Sequence, residues 1–168
     1  SGSSLRRAPH GTRRPAPMRR TDVSFSSEAT SCRGWFYGSD SGPARPCGVM
    51  AHGLGGVKEM RLDAYAERFA REGYRVLVFD YRGFGESEGE PRRVVDVGAQ
   101  HADWRAAMAF ARAQPGVDPG RTVLWGSSLS GGHVRALASE RPEIAAVIAQ
   151  GPHVDAWAAF RRSGNTGW

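Results

Sequence analysis

A chain of 168 residues, 40% hydrophobic and 24% charged, is long enough for one domain with a real core. Its formal net charge of +6 has a local origin: residues 1–20 hold Arg6, Arg7, Arg13, Arg14, Arg19 and Arg20 and no acid. Without that segment the 23 Lys and Arg fall to 17, equal to the 17 Asp and Glu, so the body is neutral and no nucleic-acid surface is expected.

Residues 1–20 are rich in Ser, Gly, Pro and Arg and lack apolar periodicity. Such a segment cannot bury enough surface to offset its ordering entropy, so it reads as a disordered tail. The domain is expected over residues 21–168. No apolar stretch is long enough for a signal-peptide core or a membrane span. Cys32 and Cys47 have no metal-ligand spacing and make no disulfide framework. A reducing, cytoplasmic setting with no metal and no organic cofactor is the expectation.

In chain order, "DVSFSS" and "RGWFYG" are short runs of β-formers that predict a hairpin. "CGVMAHG" predicts a third strand. From Lys58 to Glu72, the residues Leu62, Tyr65, Ala66, Phe69 and Ala70 form the stripe of an amphipathic helix, with Gly73 as its stop. "RVLVFD" is a near-continuous apolar run of the kind buried on both faces of a parallel sheet. A second helix is expected over residues 94–113, a turn at "DPGR" (118–121), and a strand at "TVLWG". Leu129 to Ser139 predicts a third helix and "AAVIAQ" a last strand. Alternating strands and helices define an α/β chain, a mostly parallel sheet with helices on both faces.

The stretch "LWGSSLSGGH" joins "TVLWG" to the third helix. Ligands of open α/β sheets sit beyond the carboxyl ends of the strands, which is where Ser128 falls. A nucleophile on such a turn requires little bulk around it, hence glycine two before and two after the serine in G-x-S-x-G. Gly126 fits; the position two after is Ser130, with Gly131 and Gly132 behind it. Ser127 is flanked at the same spacing by Trp125 and Leu129, and is the poorer choice. On this stretch alone, a nucleophile and a phosphate-binding strand-to-helix loop fit about equally.

"AHGLGG" (51–56) and "DYRGFGESEG" (80–89) each follow a strand as well. With these three motifs in this order, the chain resembles the α/β-hydrolase superfamily, in particular its single-domain esterase and serine-peptidase-like members. The likeness runs from about Asp22 to Asp155. It implies that Ser128 is the nucleophile of an acyl-enzyme mechanism on an ester, thioester or amide. It further implies that the N–H groups of Leu54 and Leu129 form the oxyanion hole. His52 then shapes the oxyanion loop and, with Gly53, contacts the substrate, while Arg82 and Ser87 fix the loop beside the site.

The base and acid are not apparent. The superfamily order is Ser, then Asp or Glu, then His. After Ser128 only His133 and His153 remain. His133 lies on the helix that follows Ser128, pointing well off the serine's direction, and reads as packing or solvated. His153 follows the last strand at the active-site end, where it would line the substrate pocket. As a base paired with Asp155 it would stand in the wrong order. His101 reads as solvated. Trp35, Phe84, Leu54 and Trp157 are candidates for an apolar acyl pocket, with core packing the simpler role for each. The expectation is therefore the N-terminal part of a hydrolase fold, lacking the last strands and impaired as an enzyme. The alternative is a non-catalytic fragment or interaction protein, self-associating through an exposed edge strand.

Overall fold

The computed structural model describes residues 18–38 and 41–155. Most of the tail (1–17), Trp157 and the chain end from Arg161 lie outside them. Strand β1 (Arg20–Ser27) pairs antiparallel with β2 (Thr30–Tyr37) as the expected hairpin. Its turn, Glu28 and Ala29, has φ of 45° and 65°. Positive φ at both central residues is the geometry that matches strand twist in two-residue hairpins, here adopted without glycine or asparagine. The boundary after residue 20 falls inside β1, because the Arg20 guanidinium lies 4.4 Å over the Trp35 ring and holds the strand start to its partner.

The chain continues through β3 (Arg45–Ala51), α1 (Leu62–Arg71), β4 (Arg75–Phe79), α2 (Val97–Arg112), β5 (Val117–Ser127), α3 (Leu129–Glu140) and β6 (Ile144–Gln150). The sheet order is β1-β2-β4-β3-β5-β6. The β4–β3, β3–β5 and β5–β6 pairs are parallel. This is the α/β fold expected, with the antiparallel hairpin at one edge and β6 at the other.

Period-2 alternation sends the two faces of β4 to different partners. Val76 and Val78 pack with Trp35, Met50, Leu62, Ala66 and Trp125 under α1. Leu77 and Phe79 pack with Val49, Leu124, Trp104, Val134 and Leu137 under α2 and α3. Both faces of the central strands are thus covered, which is why the four residues after Arg75 in β4, "VLVF", are all apolar. Cys32 and Cys47 are buried free thiols.

Three boundaries differ from the sequence reading. Helix α1 starts at Leu62, because Lys58 is held to Asp80 and Arg61 takes φ 73°, which delays the first helical turn. Helix α2 starts at Val97, after Asp96 caps it by accepting the Ala99 N–H at 2.9 Å. "DPGR" belongs to the irregular first part of β5, and its turn chemistry survives as Asp118 accepting the Gly120 N–H at 3.0 Å.

Candidate active site

Ser128 stands at the carboxyl end of β5, between β3 and the edge strand β6, as the residue before α3. Its φ of 55° and ψ of −117° are not those of an unstrained L-residue, and its side chain is exposed. The strain is held by backbone bonds. The Ser128 N–H donates to the Gln150 carbonyl at 2.9 Å, and the His153 N–H donates to the Ser128 carbonyl at 2.8 Å. Glycine is required two residues before, since a Cβ at Gly126 would lie 2.3 Å from the Ser130 carbonyl oxygen.

The loop after β3 crosses directly over this turn. A Cβ at Gly53 would meet Ser128 Cβ at 2.9 Å and the Leu129 nitrogen at 3.5 Å. Leu54, next in the loop, leaves its side chain 70% exposed. The Leu129 N–H opens α3, where the first amides of a helix have no intrahelical partner. His52 is half-buried, and burial pushes its pKa below the ordinary value, so the ring is neutral near pH 7. Its Nε2 has no hydrogen-bond partner among the described residues.

Ser130, read from the sequence as a small residue in a glycine position, is fully buried and hydrogen-bonded. Its hydroxyl donates to the His52 carbonyl oxygen, so the Tyr81 hydroxyl, its other partner, is the donor to Ser130. The Trp104 indole N–H donates to the Tyr81 oxygen at 2.8 Å. Burial raises the Tyr81 pKa, which keeps that hydroxyl protonated. Neither Tyr81 nor Trp104 stood out in the sequence. The one available signal was a serine occupying a position where the motif asks for glycine.

The loop after β4 is fixed as expected by Arg82 and Ser87. Arg82 binds Asp103, Glu28 and Ser27, and the Ser87 hydroxyl donates to the Asp80 carbonyl at 2.7 Å while accepting the Arg33 N–H at 2.8 Å. Lys58, read from the sequence only as the start of a helix, is fully buried, its ammonium 2.8 Å from the equally buried Asp80 carboxylate. Burial works against its charge, yet the hydrogen bonds it donates to Asp80, Glu59 and Glu86 outweigh burial and raise its pKa. Lys58 thereby ties the loop over Ser128 to the loop after β4.

The histidines after Ser128 divide. His133 is buried, with Nε2 2.8 Å from Gln100 Oε1 and Nδ1 3.0 Å from His101 Nε2. His101 is therefore a half-buried partner, not the solvated residue expected, because its ring meets that of His133 from α3. His153 is exposed and lines a cavity of about 500 Å³ with Leu129, His101, His133 and Val154. Among the described residues, no group of three or more His, Cys, Asp or Glu is placed to hold a metal ion, and no helix is long and apolar enough to cross a membrane. Trp35 packs in the core under α1, whereas Leu54 and Phe84 border a cavity of about 790 Å³ beside the loop over Ser128.

Comparison with known proteins gives this arrangement a lineage. Residues 42–165 match the family model of the serine aminopeptidases, S33. The chain is 48% identical over 94% of its length to the quorum-quenching protein AidA of Acinetobacter baumannii, and covers 49% of that protein. It is 42% identical to the thiohydrolase aneE of Aspergillus aculeatus, over 81% of this chain and 42% of that one. Among solved structures, the α/β hydrolase GrgF of Penicillium sp. superposes with a TM-score of 0.76 at 30% identity, over 87% of this chain and 50% of that one. The chain thus spans about half the length of the curated relatives it matches.

Proposed function

The chain belongs to the S33 serine aminopeptidase family of α/β hydrolases, and from that premise we propose that Ser128 is the nucleophile of an acyl-transfer site. The observation that carries the reading is the contact between Gly53 and the elbow, which sets the loop bearing Leu54 against Ser128 and the Leu129 N–H. In the proposed step, Ser128 Oγ attacks the carbonyl carbon of an ester, thioester or amide. The Leu54 and Leu129 N–H groups receive the developing oxyanion, the leaving group departs protonated, and water releases the acyl group from Ser128. Each oxyanion donor is worth about 3–4 kcal/mol in such sites. A thiohydrolase among the relatives supports acyl–sulfur bonds as one substrate class.

His133 is already committed to Gln100 and His101, and His153 precedes Asp155 in the wrong order for the family. We therefore assign the general base and its acid to no residue of this chain and expect it to be impaired alone. Lacking the base, such a site retains roughly 10³-fold over water. Location in the cytoplasm and a small acyl substrate remain part of the proposal.

The test is fluorophosphonate labelling read by intact mass, with Ser128→Ala beside it. A label that disappears in the variant supports an activated Ser128. A folded chain that takes no label sinks catalytic competence of the chain by itself. It favours a second reading, an interaction protein pairing through β6, whose residues are all half-buried or exposed, Ile148 at 39%. Concentration-dependent dimerisation in sedimentation, lost on placing proline in β6, is the outcome that reading requires.

A further inference from the structure

The cavity of about 790 Å³ begins at Leu54 and runs between the loop over Ser128, the loop after β4 and residues 92–95. Leu54, Val57, Phe84 and Val95 form its apolar walls, and Arg92 and Arg93 are its charged groups; among the described residues no acidic side chain lines it. Ligand sites of ~300–1,000 Å³ are typically apolar, with a few fixed polar groups that orient the ligand. Here the charged groups share one sign.

Both arginines belong to a built wall. Arg92 donates from Nη2 to the Gly85 carbonyl at 2.7 Å and from Nη1 to the Ser87 carbonyl, which fixes its fork and leaves donors to spare. Arg93 is held through its backbone. Its φ is 61° and its N–H donates to the Gly83 carbonyl at 2.9 Å. A Cβ at Gly83 would come within 3.2 Å of the Pro91 carbonyl oxygen, so residues 91–93 press directly on the loop after β4. The Arg93 guanidinium has no acidic partner among the described residues.

We propose that this cavity receives a substrate whose apolar chain ends in an anionic group, a carboxylate or a phosphate. The chain lies along Leu54, Val57, Phe84 and Val95, and the anion sits on Arg92 and Arg93. The assignment rests on the acyl-transfer reading for one point, that the reacting carbonyl lies at the Leu54 end. A neutral chain would leave two cations facing an apolar ligand, whereas an anion gains charge-assisted hydrogen bonds from both.

Octanedioate, octyl phosphate and octan-1-ol, each titrated calorimetrically into the 168-residue chain, test this. The expected result is an anion bound about tenfold more tightly than the alcohol. That preference should collapse in Arg93→Gln and at high salt, and persist in Arg93→Lys, with circular dichroism melts reporting that each variant is folded. Tighter binding of octanedioate assigns a carboxylate; tighter binding of octyl phosphate assigns a phosphate. Equal binding of all three, or a preference that Arg93→Gln leaves intact, overturns the proposal. Fluorophosphonate labelling of the same sample separates the two ideas. Labelled Ser128 without anion preference defeats the anion site and spares the hydrolase reading. Anion preference with an inert, folded Ser128 does the reverse.

Discussion

The Ser130 hydroxyl donates to the carbonyl oxygen of His52, joining the first turn of α3 to the loop that crosses Ser128. Tyr81 and Trp104 complete a buried chain in which every donor direction is fixed. Ser130→Ala leaves the buried Tyr81 hydroxyl without this partner, at about 1–3 kcal/mol, and the part-buried His52 carbonyl at less. For a chain of this size, each kcal/mol lowers Tm by roughly 2–4 °C. Thermal melts should show that loss, and hydrogen exchange should quicken at residues 53–55. Tyr81→Phe should reproduce the stability loss with a smaller effect on loop exchange, since the bond to His52 survives. Unchanged exchange in Ser130→Ala would remove the role given to this hydroxyl.

Lys58 and Asp80 form an ion pair with both side chains fully buried, and Asp80 also accepts the Lys58 backbone N–H at 2.7 Å. Breaking a buried pair from one side strands a charge and costs about 3–5 kcal/mol. Lys58→Met should destabilise by that amount, and Lys58→Met with Asp80→Asn by distinctly less. Glu86, mostly exposed, is a weaker partner, and Glu86→Gln should change stability by under about 1 kcal/mol. Chemical denaturation measures all three; equal losses in the single and double variants would contradict the pairing.

Backbone proximity at the elbow makes a sharper test than side-chain removal. An alanine Cβ at Gly126 would collide with the backbone of Ser130 and Gly131, which cannot move without unwinding α3. At Gly120, an added Cβ meets only the Asp118 side chain at 3.4 Å. Gly126→Ala should therefore cost at least roughly 1–3 kcal/mol, while Gly120→Ala stays near neutral. Gly53→Ala should separate the loop from Ser128, abolishing fluorophosphonate labelling wherever the parent chain shows it. A Gly126→Ala variant as stable as Gly120→Ala would mean the elbow is not built as described.

Sheet and helices were legible because β4 is apolar on both faces and α1 carries an unbroken i, i+3, i+4 stripe. The elbow was legible through Gly126, whose type follows from a backbone constraint, and through Ser128, a serine where the positive φ alone would favour glycine. What remained hidden depends on residues far apart in sequence. Ser130 meets Tyr81 across 49 positions and His101 meets His133 across 32, and no local period marks either pair. Lys58 entered the sequence reading only as the start of a helix, and that helix begins late because the ammonium is held to Asp80. The hairpin turn at Glu28–Ala29 shows the converse: sheet pairing imposes positive φ on residues that local propensity would not choose.

The pair His101–His133 should make stability depend on pH. Burial pulls the His133 pKa from 6.5 to about 4, and the neighbouring His101 pulls it the same way. His101 is also lowered, by burial first and then by Arg105, with Glu140 opposing. A histidine that stays neutral when folded but titrates normally when unfolded gives the unfolded chain the extra proton between those values. Its contribution is complete above about pH 6.5 and is lost as pH falls through about 4. Protonating His133 would also break its acceptor contact with the His101 Nε2–H. Stability of the parent chain should therefore fall between pH 6.5 and 4 more steeply than that of His133→Gln, which cannot titrate. Paired melts across that range measure the difference, from which carboxylate titrations common to both chains cancel. Parallel curves would show that His133 takes up its proton in the folded state as readily as in the unfolded one.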